Sequence, residues 1–123
     1  MTTSKEYCDV ICDAIDTYGR EAQTDMCIEE CSELIKALLK FRRLPLEERL
    51  AAKGMKVLEN IQEEIADVQI MLWQMELLYG YGCTEHEIER KIDRLKERIE
   101  AIRKPHQEAS GEKIKKGVNI NWF

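Results

Sequence analysis

The chain has 123 residues, 44% of them hydrophobic and 35% charged, which suffices for one domain with a modest core and is too little for two. Two prolines and six glycines interrupt it, and Glu, Lys, Leu, Ile and Ala dominate, so helices rather than a sheet are expected. The formal charge of −5 excludes a general nucleic-acid binder, which needs a cationic surface to displace counterions. The polar start, Met1 to Tyr7, is not signal-like, and no apolar run nears the roughly 20 residues of a membrane span. The expectation is a cytoplasmic protein without a nucleic-acid or membrane partner.

The first predicted helix runs from Lys5 to Tyr18, with Tyr7, Ile11, Ala14, Ile15 and Tyr18 on one face, and Gly19 ends it. A second helix covers Gln23 to Arg42 and stops at Leu44-Pro45, where Pro45 opens a short helical piece through Ala52. Gly54 separates that piece from a third, longest helix, Met55 to Tyr79, which Gly80-Tyr81-Gly82 closes. A fourth helix starts at Thr84, where Thr84-Glu85-His86-Glu87 has the form of a capping box, and Ile88, Ile92, Leu95, Ile99 and Ile102 make a narrow apolar stripe behind it. Pro105 is expected to end it. This divides the chain into an all-α, four-helix bundle-like domain at 1–104 and a tail at 105–123, whose apolar end, Ile120 to Phe123, is expected to dock.

Five cysteines without a secretion signal point to reduced thiols rather than a disulfide framework. Cys8 and Cys12, and separately Cys27 and Cys31, are four apart, so each pair shares a helix face. They read either as small core hydrophobes or as four thiolates for a structural zinc.

Helices two and three carry the same acidic pattern. With about 100° per residue and Glu30 at zero, Phe41, Leu34, Cys27, Leu38 and Cys31 fall between about +20° and +100°, and Glu33 at about −60°. With Glu64 at zero, Val57, Met75, Val68, Ile61, Leu72 and Ile65 occupy the same arc, and Asp67 lies at about −60°. Glu30 and Glu64 therefore stand inside apolar arcs, where a surface carboxylate has no reason to be. Glu29 and Glu63, near −100° on their helices, fit a solvated flank equally well. Carboxylates three apart on one helix repel each other, so two inward pairs need a compensating cation. That is either a divalent ion or a buried salt-bridge network. Oxygen donors of this kind suit Mg²⁺, or Mn²⁺ in its place. A carboxylate-bridged di-iron bundle would require Glu-x-x-His pairs, and His86 and His106 lie in neither acidic helix.

These residues resemble a known family. Glu29-Glu30-Cys31-Ser32-Glu33 followed by Glu64-Ile65-Ala66-Asp67 resembles the EExxE…ExxD signature of MazG-like nucleoside triphosphate pyrophosphohydrolases. Tyr18-Gly19-Arg20-Glu21-Ala22-Gln23, Leu34-Ile35-Lys36-Ala37-Leu38 and Ala66-Asp67-Val68 have the family's look, and the likeness spans roughly Tyr7 to Ile102. Each short motif alone is common; in order and on matching helix faces they are more specific. The stretch from Phe41 to Lys56 is slightly long for the family, which bears on the local loop and substrate choice.

The resemblance implies Mg²⁺-dependent hydrolysis of an NTP or dNTP to the monophosphate and pyrophosphate, of the nucleotide-pool house-cleaning kind. Glu30, Glu33, Glu64 and Asp67 would ligate the metal, with Glu29 and Glu30 catalytic and Glu29 orienting water or a further ion. It also points to Lys91 and Arg98, at about −60° and −80° from the Ile88 stripe, for substrate phosphates. Snorkelling from a helix flank is the commoner explanation for both, and Lys40, one turn past the first motif, is a weaker candidate. Gln23 stands where the substrate base would be read, or simply starts its helix. Finally, Val68 to Leu78 is apolar nearly all round, with Ile70, Trp73 and Leu77 opposite the first arc. That predicts a homodimer or homotetramer. The alternative to the enzyme is a helical oligomerisation or adaptor module, with zinc on Cys8, Cys12, Cys27 and Cys31.

Overall fold

The computed structural model describes the backbone of residues 4–110 and the side chains of residues 4–104. It is all-helical: α1 (Ser4–Tyr18), α2 (Arg20–Arg43), the single turn α3 (Leu46–Arg49), α4 (Ala52–Met75) and α5 (Thr84–Ser110), with a π-helical turn at Glu76–Gly80 prolonging α4. No described helix is long and apolar enough to cross a membrane. The chain divides into two compact units, Met1–Gly82 and Cys83–Phe123.

In the first unit α2 and α4 form the principal pair, α1 lies against both, and α3 lies against α4. The pair is antiparallel. Gln23 near the start of α2 bonds to Gln74 near the end of α4, whereas Ala37 and Leu44 at the far end of α2 cluster with Val57 and Ile61 from the first half of α4, flanked by Phe41 and Leu58. Each aliphatic side chain buried there contributes about 1.5–3 kcal/mol.

Gly19 does more than end α1. At φ +90° it redirects the chain, its N–H donating to Ile15 O (2.8 Å) while its carbonyl accepts from Gln23 N (3.1 Å). α2 thus begins at Arg20, three residues before its expected start. At the other end Leu44 N donates to Phe41 O at 3.1 Å, and Pro45 keeps Leu44 extended at ψ 135°.

Gly54 is not the expected break. It is buried within the first turn of α4, where a Cβ would run into the Arg49 backbone, its Cα at only 2.5 Å. The missing side chain lets the end of α3 lie directly on α4. Arg49 holds that junction by donating from Nε to Leu44 O (3.1 Å) and from Nη2 to Arg42 O (3.0 Å), with its guanidinium 5.3 Å from the Phe41 ring centre.

The second unit, described by itself, is α5. Its stripe of Ile88, Ile92, Leu95, Ile99 and Ile102 is exposed. The capping box is not formed: Cys83 O accepts the first helical bond, from Glu87 N, and the Glu87 carboxylate takes two bonds from Arg90, at 3.2 and 2.7 Å. That pairing holds the Glu87 carboxyl below its ordinary value. Nor does Pro105 end the helix, which continues to Ser110. A proline there lacks the N–H that would bond to the Ala101 carbonyl, yet the backbone keeps its helical course. The expected docking of Ile120 to Phe123 lies outside the described residues.

Candidate metal centre

The antiparallel pairing of α2 and α4 brings Glu30 opposite Glu64 and Asp67. One carboxylate oxygen from each lies within 4.8 Å of the other two, and among the described residues no other set of three acidic, histidine or cysteine side chains converges in this way. Glu30 and Glu64 are half-buried and Asp67 is exposed, so the trio opens to solvent on one side.

Electrostatics follow from that packing. The Glu30 carboxyl is held above its ordinary value, first by burial and then by the charges of Asp67, Glu64, Glu29 and Glu33. Glu64 is raised likewise, by burial and then by Asp67, Glu33 and Glu63. Like charges at this spacing disfavour one another's ionised forms. No lysine or arginine among the described residues forms an ion pair with any of the three. The buried salt-bridge network that could have compensated them is therefore absent from the described residues. The donor set, all carboxylate oxygen and without a balancing cation, fits a hard divalent ion.

The other residues singled out in the sequence fall in different places. Glu33 is outside the converging trio and pairs with Lys36 at 3.4 Å on the surface, although its charge reaches both Glu30 and Glu64. Glu29 is exposed beside Glu30. Gln23 is buried, only 7% exposed, and its amide donates to Gln74 Oε1 at 2.6 Å, while the Gln74 amide donates to Met71 Sδ at 3.8 Å. Thr24 and Tyr79 share a hydroxyl bond of 2.7 Å next to this pair, and Arg20 lies 5.2 Å from the Tyr79 ring centre. Lys91 and Arg98 are exposed side chains of the second unit.

The paired cysteines do not form a zinc site. No three thiols among the described residues come together; Cys8 and Cys12 are exposed and Cys27 is buried. Burial, and then the adjacent Cys31 thiol, pushes the Cys27 thiol up, making it a poorer thiolate ligand.

Two residues of this region escaped the sequence reading, Gln74 and Tyr79. For Gln74 a signal existed: it stands two turns after Asp67, on nearly the same side of a helix that is apolar almost all round. A polar residue there must find a buried partner. Comparison with known proteins finds no matching family model, no similar curated protein and no similar solved structure, so what the site can do rests on its own geometry.

Proposed function

We propose that this protein binds a divalent cation, Mg²⁺ or Mn²⁺, at Glu30, Glu64 and Asp67, and hydrolyses a nucleoside triphosphate to the monophosphate and pyrophosphate. The observation that carries the proposal is the convergence of three carboxylates from two helices within 4.8 Å. The MazG-like resemblance of the two motifs supplies the reaction.

When bound, such an ion would offset the charge that develops on the phosphates and would make a water easier to deprotonate near neutral pH. The chain's own residues do the rest. Glu30, Glu64 and Asp67 would hold the ion against α2 and α4, and Glu33 would join them by turning away from its solvent-exposed partner Lys36. Glu29 accepts a hydrogen bond from the attacking water and takes its proton as pyrophosphate leaves. A base contact from Gln23 requires its bond to Gln74 to open, and Lys91 and Arg98 are assigned to the phosphates on the resemblance alone.

Incubation with a panel of ribo- and deoxynucleoside triphosphates and Mg²⁺ tests this directly. Pyrophosphate rather than orthophosphate should appear, EDTA should stop it, and Glu64→Gln should abolish it with the helical spectrum intact. Absence of release from every canonical and modified nucleotide sinks the proposal.

Self-association belongs to the same reading. Ile70, Trp73 and Leu77 are 43%, 38% and 56% exposed on α4 and the turn that follows it, and a second copy covers such a face most simply. A dimer or tetramer in sedimentation that Trp73→Glu converts to monomer is the expected result. The same face equally suits a non-enzymatic oligomerisation module, which would associate in this way but release no pyrophosphate.

A further inference from the structure

Two to three turns from the acidic trio, the α2–α4 seam changes sign. Lys40 of α2 faces Lys53, Lys56 and Asn60 of α4 across a groove of about 490 Å³, with Glu59 and Glu63 also on its walls. The placement follows from helical phase. Counted from Glu64, Lys53, Lys56, Asn60 and Asp67 lie between about −20° and −80° on α4, and Lys40 lies at about −80° from Glu30 on α2. Antiparallel pairing then puts the lysines together at one end of a common face and the carboxylates at the other.

Two of the three lysines in this groove are without an ion pair among the described residues, although Glu59 and Glu63 share its walls. Neither Lys40 nor Lys56 forms an ion pair with a carboxylate among the described residues. Lys53 has only a loose one, to Glu48 at 3.6 Å, between side chains that are 65% and 42% exposed. Exposed pairs of that kind contribute little. Three lysines from two helices line the groove, each carrying a compact charge with rotatable donors on a flexible stem, and the Asn60 amide has two more N–H donors. An anion with several oxygens answers such a set better than a single carboxylate, which Glu59 and Glu63 already offer nearby.

We propose that the groove formed by Lys40, Lys53, Lys56 and Asn60 is a binding site for a phosphate-class anion, inorganic phosphate or pyrophosphate, separate from the metal centre. These are not the α5 cations to which the family resemblance points. On the hydrolysis reading the groove receives the far end of the polyphosphate chain, but binding here requires neither metal nor turnover. Lys40 is the residue best directed for both roles, since helical side chains lean toward their own N-terminus, which on α2 is the direction of Glu30.

The test is calorimetric titration of the metal-free full chain, in EDTA, with pyrophosphate and separately with inorganic phosphate. Saturable binding is expected, weakened at least tenfold by Lys40→Gln with Lys56→Gln, and restored to within about threefold by arginine at both positions. Raising salt should weaken it, because the contacts are exposed. Glu64→Gln should leave it unchanged or tighter, since that change removes only a repelling charge. Pyrophosphate binding ten times more tightly than phosphate would mean that two phosphoryl groups are held; equal affinities would mean one. Absence of saturable binding overturns the proposal, as does affinity indifferent to the lysine replacements. Because metal and nucleotide are both left out, failure here is distinct from failure of the hydrolysis proposal, and success does not depend on it.

Discussion

Replacing Gly54 by alanine should destabilise the first unit severely, although alanine is the better helix former. In an exposed helix interior the change would be worth about 1 kcal/mol in favour of alanine. Here the added methyl would overlap the Arg49 backbone, with the Arg49 Cα at 2.5 Å, whereas ordinary Cβ contacts lie beyond 3.0 Å. Backbone cannot rotate aside as a side-chain tip can, so α3 must lift. Lifting it strains or breaks the bonds from Arg49 to Leu44 O and Arg42 O and the stacking of Arg49 on Phe41. At about 0.5–1.5 kcal/mol for each hydrogen bond and about 0.5–1 for an exposed cation–π contact, these total about 1.5–4 kcal/mol. Overpacking adds about 1–3. Net of the helix-propensity gain, a loss of about 1.5–6 kcal/mol is expected, and at roughly 4–8 °C per kcal/mol for a domain of this size the midpoint should fall by at least about 6 °C. Thermal and urea melts followed by far-ultraviolet circular dichroism measure it. A midpoint within about 2 °C of the wild type would refute the close approach of α3 to α4.

The remaining predictions concern charge and polarity. Mg²⁺ at a hundredfold its dissociation constant should stabilise the wild type by about 2.7 kcal/mol, and should not raise the melting temperature of Glu64→Gln. Because the Glu30 and Glu64 carboxyls are raised in the folded protein, their contribution to metal-free stability is complete below their unfolded values and is lost as pH rises through the raised ones. Melts in EDTA from acid to neutral pH should show that loss, and the double change Glu30→Gln, Glu64→Gln should remove it; an unaltered pH slope in the double variant would count against the mutual repulsion. Glu87 has the opposite sign. Its lowered carboxyl supports the second unit above the ordinary value and stops doing so as pH falls, so subtracting the double-variant curve isolates the acidic trio. Last, Gln74→Leu leaves the buried Gln23 amide unpaired and should cost about 1–3 kcal/mol, whereas Gln23→Leu with Gln74→Leu should cost less than the sum of the single changes in a double-mutant cycle.

The helical class and the convergence of Glu30, Glu64 and Asp67 were legible because both depend on phase. Two carboxylates at matching angles inside apolar arcs must meet once those arcs pack together, whatever the loops do. Boundaries were less legible where one residue could serve two purposes. Gly19 was read as a stop and is a one-residue redirection, since its N–H still donates backward while its carbonyl already accepts forward. Gly54 was read as a break and is a site of close approach, because an absent side chain carries no sign of what fills its place. Pro105, expected to end its helix, lies inside it, the helix running on to Ser110.

Partner choice was the part that phase could not supply. Glu33 shares the Asp67 position in the repeat, yet a surface lysine three residues along was free to take it. Glu87 had the capping position and found Arg90 instead. Gln23 stood at a plausible ligand position, but only the structure reveals that Gln74 already occupies its amide. The cationic groove escaped for a related reason. The sequence offers Lys40 only as a lone candidate phosphate contact, and Lys53 and Lys56 join it in one groove only because the antiparallel register sets position 40 against 53 and 56. That same register sets position 30 against 64 and 67. A shift of one helical turn between α2 and α4 would therefore disperse both clusters together while leaving each helix amphipathic, so the Gln23–Gln74 bond and the Arg49–Gly54 junction, at opposite ends of the pair, hold the register on which both proposed sites depend.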